Sequence, residues 1–228
     1  MTSRAIVSVA VREPYVARGA RMRPTLDRFG CCDYVKIFDN WPPGAPTHFE
    51  HHYAFKWGAF KHAADLGYKR ILWLDSACVA LAPLEPMWQE IESIGHLFAP
   101  DENALGKWSS DESLARYGVT RDAAMDMRLF CGSWFGLNFD FPAAASFFEE
   151  WGQLAAAAGG PFMSSHSEYA PDKMRSLPVT DGPSRAVISD DPRCVGHRSD
   201  ETYYSLMAHA RGMSVSQADL SGLLRTEP

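Results

Sequence analysis

The chain has 228 residues, 46% of them apolar, with 22 basic and 28 acidic side chains and a net charge of −6 when histidines are neutral. A chain of this size buries about 70–75% of its unfolded surface, so one domain over residues 1–228 is expected. The apolar content excludes wholesale disorder, and the acidic balance offers no electrostatic footprint for general nucleic-acid binding.

The run Ala5-Ile6-Val7-Ser8-Val9-Ala10-Val11 is nearly continuous in apolar character, the pattern of a central strand covered on both faces of a parallel sheet. Tyr34 to Phe38 reads as a second strand, ended by Asp39-Asn40 and Pro42-Pro43-Gly44. Phe49, Tyr53, Trp57 and Phe60 recur at helical spacing and predict a helix from Phe49 to Asp65, stopped by Gly67. Arg70-Ile71-Leu72-Trp73-Leu74-Asp75 then gives a buried strand delivering an acid to its C-terminal edge. A helix from Leu84 to Ile94, a strand from His96 to Ala99 and an extended run from Arg128 to Asp140 follow. Pro142 suits the start of a helix reaching about Ala157, with Phe147, Phe148, Trp151 and Leu154 on one stripe. Residues 159–194, rich in Gly, Ser, Pro and charge, read as a long flexible loop able to close over a ligand. A last helix is predicted from Asp200 to Gly212, then a short strand from Met213 to Val215.

Cys31, Cys32, Cys78, Cys131 and Cys194 are odd in number and form no CxxC pair, which argues against a disulfide scaffold or a zinc finger. Without a cleavable apolar leader or an 18-residue apolar run, the chain is expected to be cytoplasmic with no transmembrane segment.

In an open α/β sheet ligands collect outside the carboxyl ends of the strands, which is where Asp75 is placed. Its plain structural role would be capping the next turn or pairing with a cation. Asp200 likewise serves as an N-cap in a purely structural account.

Tyr68 to Cys78 resembles the strand and acidic turn of nucleotide-sugar-dependent glycosyltransferases with the A-type fold. More narrowly, Leu74-Asp75-Ser76-Ala77-Cys78 looks like the Leu-Asp-Ala-Gly-Cys turn of a small bacterial and viral branch of that family. The second acid of the usual Asp-x-Asp signature is absent, with Ala77 in its place. Phe55-Lys56-Trp57 is similar to the family's aromatic-Lys-Pro sequence, with Trp57 replacing the proline. Gly196-His197-Arg198-Ser199-Asp200-Glu201 looks like its Gly-His-Arg-x-Asp-Gln segment, with Glu201 replacing Gln. Gly132 to Asn138 is similar to a glycine-initiated strand near the sugar pocket, and together the matches span roughly residues 5 to 215. The resemblance implies an α/β fold, a single Rossmann-like mixed sheet flanked by helices, and transfer of a sugar from a nucleotide-sugar, a UDP-sugar first, to an acceptor hydroxyl, most simply on a glycan.

The implied chemistry needs cations, because the nucleoside diphosphate gathers negative charge as it leaves. A divalent cation, Mn²⁺ or Mg²⁺, held by Asp75 and His197 is one arrangement. In a metal-free version Arg198 and Lys56 neutralise the diphosphate and Asp75 holds sugar or ribose hydroxyls. Asp200 is then a general base or an acceptor of sugar hydroxyl bonds, with Glu201 a competing base. Arg12, Tyr15 and Asp39 are expected on the nucleotide side, Tyr15 stacking on the base, although each also suits an ordinary loop or turn. Ser76, Gly132, Ser133 and Trp134 complete the expected donor pocket. His48, His51 and His52 do not form HExxH and read as a solvated helix start or an acceptor-facing rim instead of a zinc site. Trp108 and Trp151 read as core residues.

Two other functions compete. A nucleotidyltransferase would carry a Gly-rich basic loop after the first strand, and Val11-Arg12-Glu13-Pro14 contains no glycine. A nucleotide- or sugar-binding relative without turnover is motivated by Ala77.

Overall fold

The computed structural model describes residues 3–48, 50–157, 189–216, 218–220 and 222–226. At its centre is a five-stranded sheet of β1 (Arg4–Val9), β2 (Tyr34–Phe38), β3 (Arg70–Leu74), β5 (His96–Ala104) and β6 (Arg128–Asn138), in the order β2-β1-β3-β6-β5. β1 pairs in parallel with β2 and β3, while β6 runs antiparallel to both β3 and β5. This is the expected Rossmann-like mixed sheet flanked by helices. β4 (Cys78–Ala80) pairs antiparallel with β7 (Leu224–Thr226) in a second, two-stranded sheet.

Alternation along the strands builds a core on each face. Ala5, Val7, Val9, Ile71 and Trp73 pack with α2 (Phe55–Asp65), α6 (Pro142–Ala156) and α7 (Ser199–Ala210). Ile6, Leu72 and Leu74 face the other way, against α1 (Tyr15–Phe29) and α3 (Glu85–Ile94). Both faces of β1 and β3 are therefore covered, which is why their sequences read as continuous apolar runs. Each large apolar side chain so enclosed contributes about 1.5–3 kcal/mol.

Several predicted boundaries are corrected. Helix α2 starts at Phe55, not Phe49, because residues 50–54 form turns and bends and Tyr53 takes a left-handed φ of 59°. β5 continues past Ala99 to Ala104, and no strand forms at Met213–Val215. The sequence pattern gave no sign of α1, whose Gly19 and Pro24 weaken its helical signature. Gly19 is needed there: a β-carbon would come within 2.7 Å of Ala10 Cβ, so its absence lets α1 lie close on the sheet. A 3₁₀ turn (Leu105–Trp108), α4 (Asp111–Arg116) and α5 (Arg121–Met125) complete the order. Within the predicted loop, residues 159–188 lie outside the described residues. No helix among those described is long and apolar enough to cross a membrane.

Candidate active site

The end of β3, the start of α2, the start of α7 and an irregularity in β6 converge on one point. The β5–β6 register jumps from Phe98↔Phe135 to Ala99↔Cys131, so Gly132, Ser133 and Trp134 bulge away from β5. Bulges re-aim backbone groups beside functional sites. Here the Ser133 carbonyl accepts the Asp75 N–H at 2.7 Å, and the Gly132 carbonyl accepts from Lys56 Nζ at 2.9 Å.

Lys56 is the hub. Its ammonium lies 2.8 Å from Asp200 Oδ2 and 3.8 Å from Asp75 Oδ1, and its side chain is 4% exposed. It also sits over the Tyr53 and Trp73 rings, at 5.1 and 5.4 Å from their centroids. Burial alone would lower its pKa, but the carboxylates of Asp200 and Asp75 outweigh that and raise it.

Asp75 occupies the open side, with 38% of its side chain exposed. Trp73 Nε1 donates to Asp75 Oδ1 at 2.7 Å. Desolvation raises the Asp75 carboxyl above its ordinary value, and Lys56 and the Trp73 N–H offset part of that rise. Asp200, by contrast, is 2% exposed. The Tyr204 hydroxyl beneath is driven well above its usual pKa by burial and the neighbouring Asp200 and Asp75 charges.

Glu201 links this cluster to Arg198. Its Oε1 accepts the Gly132 N–H at 2.8 Å and its Oε2 pairs with Arg198 Nη1 at 3.2 Å. Burial raises the Glu201 carboxyl, reinforced by Asp200, while its partners pull it down. Space matters as much as charge: a β-carbon on Gly132 would come within 3.0 Å of Glu201 Cγ and 3.1 Å of Lys56 Nζ. Arg198 stacks over Trp108 at 4.6 Å and also pairs with Asp101 Oδ2 at 3.1 Å.

Of the predicted site residues, Asp75, Lys56, Asp200 and Gly132 are thus joined through direct contacts, and Arg198 joins them through Glu201. Ser133 reaches Asp75 through its backbone, and Ser76 is buried in the turn that follows. Trp134 packs with Leu72 and Leu74 in the core on the α1 side of the sheet. Asp39 lines a shallow pocket of about 260 Å³ with Ala10, Val16, Gly19, Ala20, Arg23 and Ile37, between α1 and the ends of β1 and β2. Exposed Tyr15 begins α1, and Arg12 precedes it with a left-handed φ of 69°.

His197 takes a different place. It is buried edge-on to Tyr203, its Nδ1 accepts the Ser110 N–H at 3.3 Å, and burial pushes its pKa down to about 3. The ring's lone pair is committed to backbone, so it does not suit a metal ion shared with Asp75. Among the described residues no group of three His, Cys, Asp or Glu side chains is placed to hold a metal ion. His48 and His52 stack on each other at 4.9 Å, while His51 is buried against the Ala155 carbonyl, so this segment is not a solvated helix start. Sequence reasoning missed Asp101, Trp73 and Trp108 as parts of the site. The polar run Asp101-Glu102-Asn103 directly after Pro100 was the available signal of an irregular strand end.

No protein-family model matches the chain, and no curated protein matches it. Solved structures do. Mouse xyloside xylosyltransferase 1 in its apo form is similar at 11% identity over 94% of this chain and 85% of that one, with a TM-score of 0.49. The bifunctional glycosyltransferase WbbM in its apo form is similar at 12% identity over 68% of this chain, with a TM-score of 0.45, and the match spans 35% of the WbbM chain. A glycosyltransferase involved in glycosylation of the major capsid of PBCV-1 is similar at 13% identity over 71% and 70% of the two chains, with a TM-score of 0.44.

Proposed function

We propose that this chain is a glycosyltransferase moving a sugar from a nucleotide-sugar, specifically a UDP-sugar, to an acceptor hydroxyl of a glycan. The observation that carries this reading is the convergence of Asp75, Lys56 and Asp200 on the Gly132 bulge, at the carboxyl end of β3. Open α/β sheets bind ligands at that edge. A nucleotide at the same edge is supported by the pocket that Asp39 lines with α1 beside the ends of β1 and β2.

Charge decides how the leaving diphosphate is met. Lys56 is balanced by Asp75 and Asp200, and Arg198 by Asp101 and Glu201. Two cations against four carboxylates leave a formal charge of −2, which opposes an incoming diphosphate on its own. A divalent cation, Mn²⁺ or Mg²⁺, accompanying the donor fits this imbalance, and Asp75, with its exposed carboxylate, would be the residue holding it. Bound there, such an ion supplies Lewis-acid stabilisation of the diphosphate.

The protein's own groups divide the remaining work. Lys56 fixes Asp75 and Asp200 relative to each other and to the β6 bulge. Asp200, buried and ion-paired, suits holding donor-sugar hydroxyls better than collecting a proton from an acceptor. Arg198, over the Trp108 ring, faces the phosphates, while Tyr15 and Arg12 flank the nucleotide.

Calorimetry with UDP, GDP, CMP and dTDP, with and without Mn²⁺, tests the reading. UDP with Mn²⁺ is expected to bind best, and Asp75→Ala to weaken it at least tenfold. Equal affinity of the wild type and Asp75→Ala would remove Asp75 from the donor site. Tight UDP binding with no donor hydrolysis or transfer under any metal condition would make the protein a binder instead of an enzyme.

A further inference from the structure

The β5 strand carries a second irregularity beyond the one at Phe98. Its register runs from Pro100↔Phe130 to Ala104↔Arg128, so Asp101, Glu102 and Asn103 stand opposite Leu129 alone. The extra residues throw Asp101 out of the ladder and toward the start of α7.

Asp101 is fixed from both ends once there. Its Oδ1 accepts from the Asn103 backbone N–H at 2.8 Å and from Asn103 Nδ2 at 2.6 Å. Its Oδ2 pairs with Arg198 Nη1 at 3.1 Å, and its side chain is only 15% exposed. Arg198 is held at its backbone as well, since its N–H donates to the Trp108 carbonyl at 3.1 Å and to Thr202 Oγ1 at 3.2 Å. The guanidinium thus lies over an indole face with two carboxylates on Nη1, Glu201 from its own helix at 3.2 Å and Asp101 from β5 at 3.1 Å, and Asp101 is itself locked by its neighbour two residues on.

We propose that Asp101, locked by Asn103 in the β5 bulge, is a positioning residue that sets the Arg198 guanidinium against Trp108 in the orientation used on the donor diphosphate. The inference rests on the reading of Arg198 as a diphosphate-facing group. Asp101 acts only through Arg198 and touches no reacting atom. Its carboxylate is needed for direction: a guanidinium lying over a ring face can still turn about its Cδ–Nε and Nε–Cζ bonds, and a fixed anion from a second element at Nη1 opposes that rotation.

A double-mutant cycle on Asp101 and Arg198 tests this, reading UDP affinity with Mn²⁺ by calorimetry and turnover by donor hydrolysis. Arg198→Ala is expected to weaken UDP binding and lower turnover about a hundredfold, leaving both measurable. Asp101→Asn is expected to keep UDP affinity within about twofold while kcat falls about tenfold to a hundredfold, the cost of misplacing a group by roughly an ångström. In the Arg198→Ala background Asp101→Asn should have no further effect, since residues acting as a unit are not additive. Asp101→Glu should recover part of kcat. Asn103→Ala, which loosens Asp101 without changing its charge, should reproduce the fall in kcat and serves if Asp101→Asn fails to fold. A readout that needs no ligand is the NMR signal of the Arg198 Nη protons, resolved when rotation is blocked and averaged in Asp101→Asn and Asn103→Ala.

The outcomes separate cleanly. If Arg198→Ala leaves UDP binding and turnover intact, the diphosphate reading of Arg198 fails. If Arg198→Ala is impaired but Asp101→Asn acts additively on top of it, or if the Arg198 Nη signals are unchanged in both Asp101→Asn and Asn103→Ala, the positioning role is overturned.

Discussion

Lys56 and Asp200 form a 2.8 Å ion pair in which both side chains are almost completely withdrawn from water, at 4% and 3% exposure. The pair connects the first turn of α2 to the first turn of α7, two helices separated by more than half the chain. Desolvating two charges is costly, and the pair is tolerable because Lys56 also donates to the Gly132 carbonyl and faces Asp75.

Removing one partner is therefore expected to cost more than the pair itself is worth. Lys56→Met strands Asp200 without its counter-charge and should destabilise the fold by about 3–5 kcal/mol, measured by urea unfolding. Adding Asp200→Asn should recover part of that loss, because the second change removes the stranded anion. Strict additivity of the two losses would show that the pair is not coupled.

Gly132→Ala probes the same point by volume in place of charge. The new methyl would press on Glu201 and Lys56, whose positions depend on the bulge. A stability loss of about 1–3 kcal/mol is expected from overpacking. UDP affinity should fall at least tenfold, more than the effect on folding would explain. Unchanged affinity in a folded variant would show that the bulge can shift without disturbing the proposed donor site.

Much of this arrangement was legible in the sequence, and the parts that were not have physical reasons. The buried strands β1 and β3 announce themselves because continuous apolar runs have few other uses, and the carboxylate closing β3 marks the site edge. Residue spacing placed Lys56, Asp75 and Asp200 far apart in the chain, so only the resemblance brought them together. Asp101 was missed because strand patterning assumes an unbroken period of two, which a bulge breaks, and the polar run Asp101-Glu102-Asn103 reads only as the end of the strand. The same limitation hid the geometry of Gly132 to Trp134, where Trp134 turns to the opposite core. His197 misled by its type: histidine beside arginine reads as a ligand, yet here the ring is buried and spends its lone pair on the Ser110 backbone.

That burial gives His197 a pH signature. Its folded pKa of about 3 lies below the ordinary value of 6.5, so the unfolded chain binds the proton more readily between those limits. The stability contributed by the neutral ring is complete above about 6.5 and is lost as pH falls toward 3. His197→Gln should make the fall in unfolding free energy between pH 6.5 and 4.5 shallower by about 1.4 kcal/mol per pH unit. Equal slopes in the two proteins, measured by urea unfolding across that range, would mean that His197 protonates without strain in the native state.

The Trp73 to Asp75 hydrogen bond makes the opposite kind of prediction, on binding in place of folding. The indole N–H favours the ionised carboxylate, holding down a pKa that desolvation raises. Trp73→Phe keeps an aromatic ring near Lys56 but removes the donor, so the Asp75 carboxyl should rise further. Donor binding that depends on the ionised form is then lost at a higher pH than in the wild type as the solution is acidified. Titrating UDP affinity in the presence of Mn²⁺ from pH 8 downward should show the acid limb displaced upward in Trp73→Phe and absent in Asp75→Asn, whose affinity is low throughout. An acid limb at the same pH in Trp73→Phe and wild type would show that the indole only packs against the site and leaves the Asp75 charge unaffected.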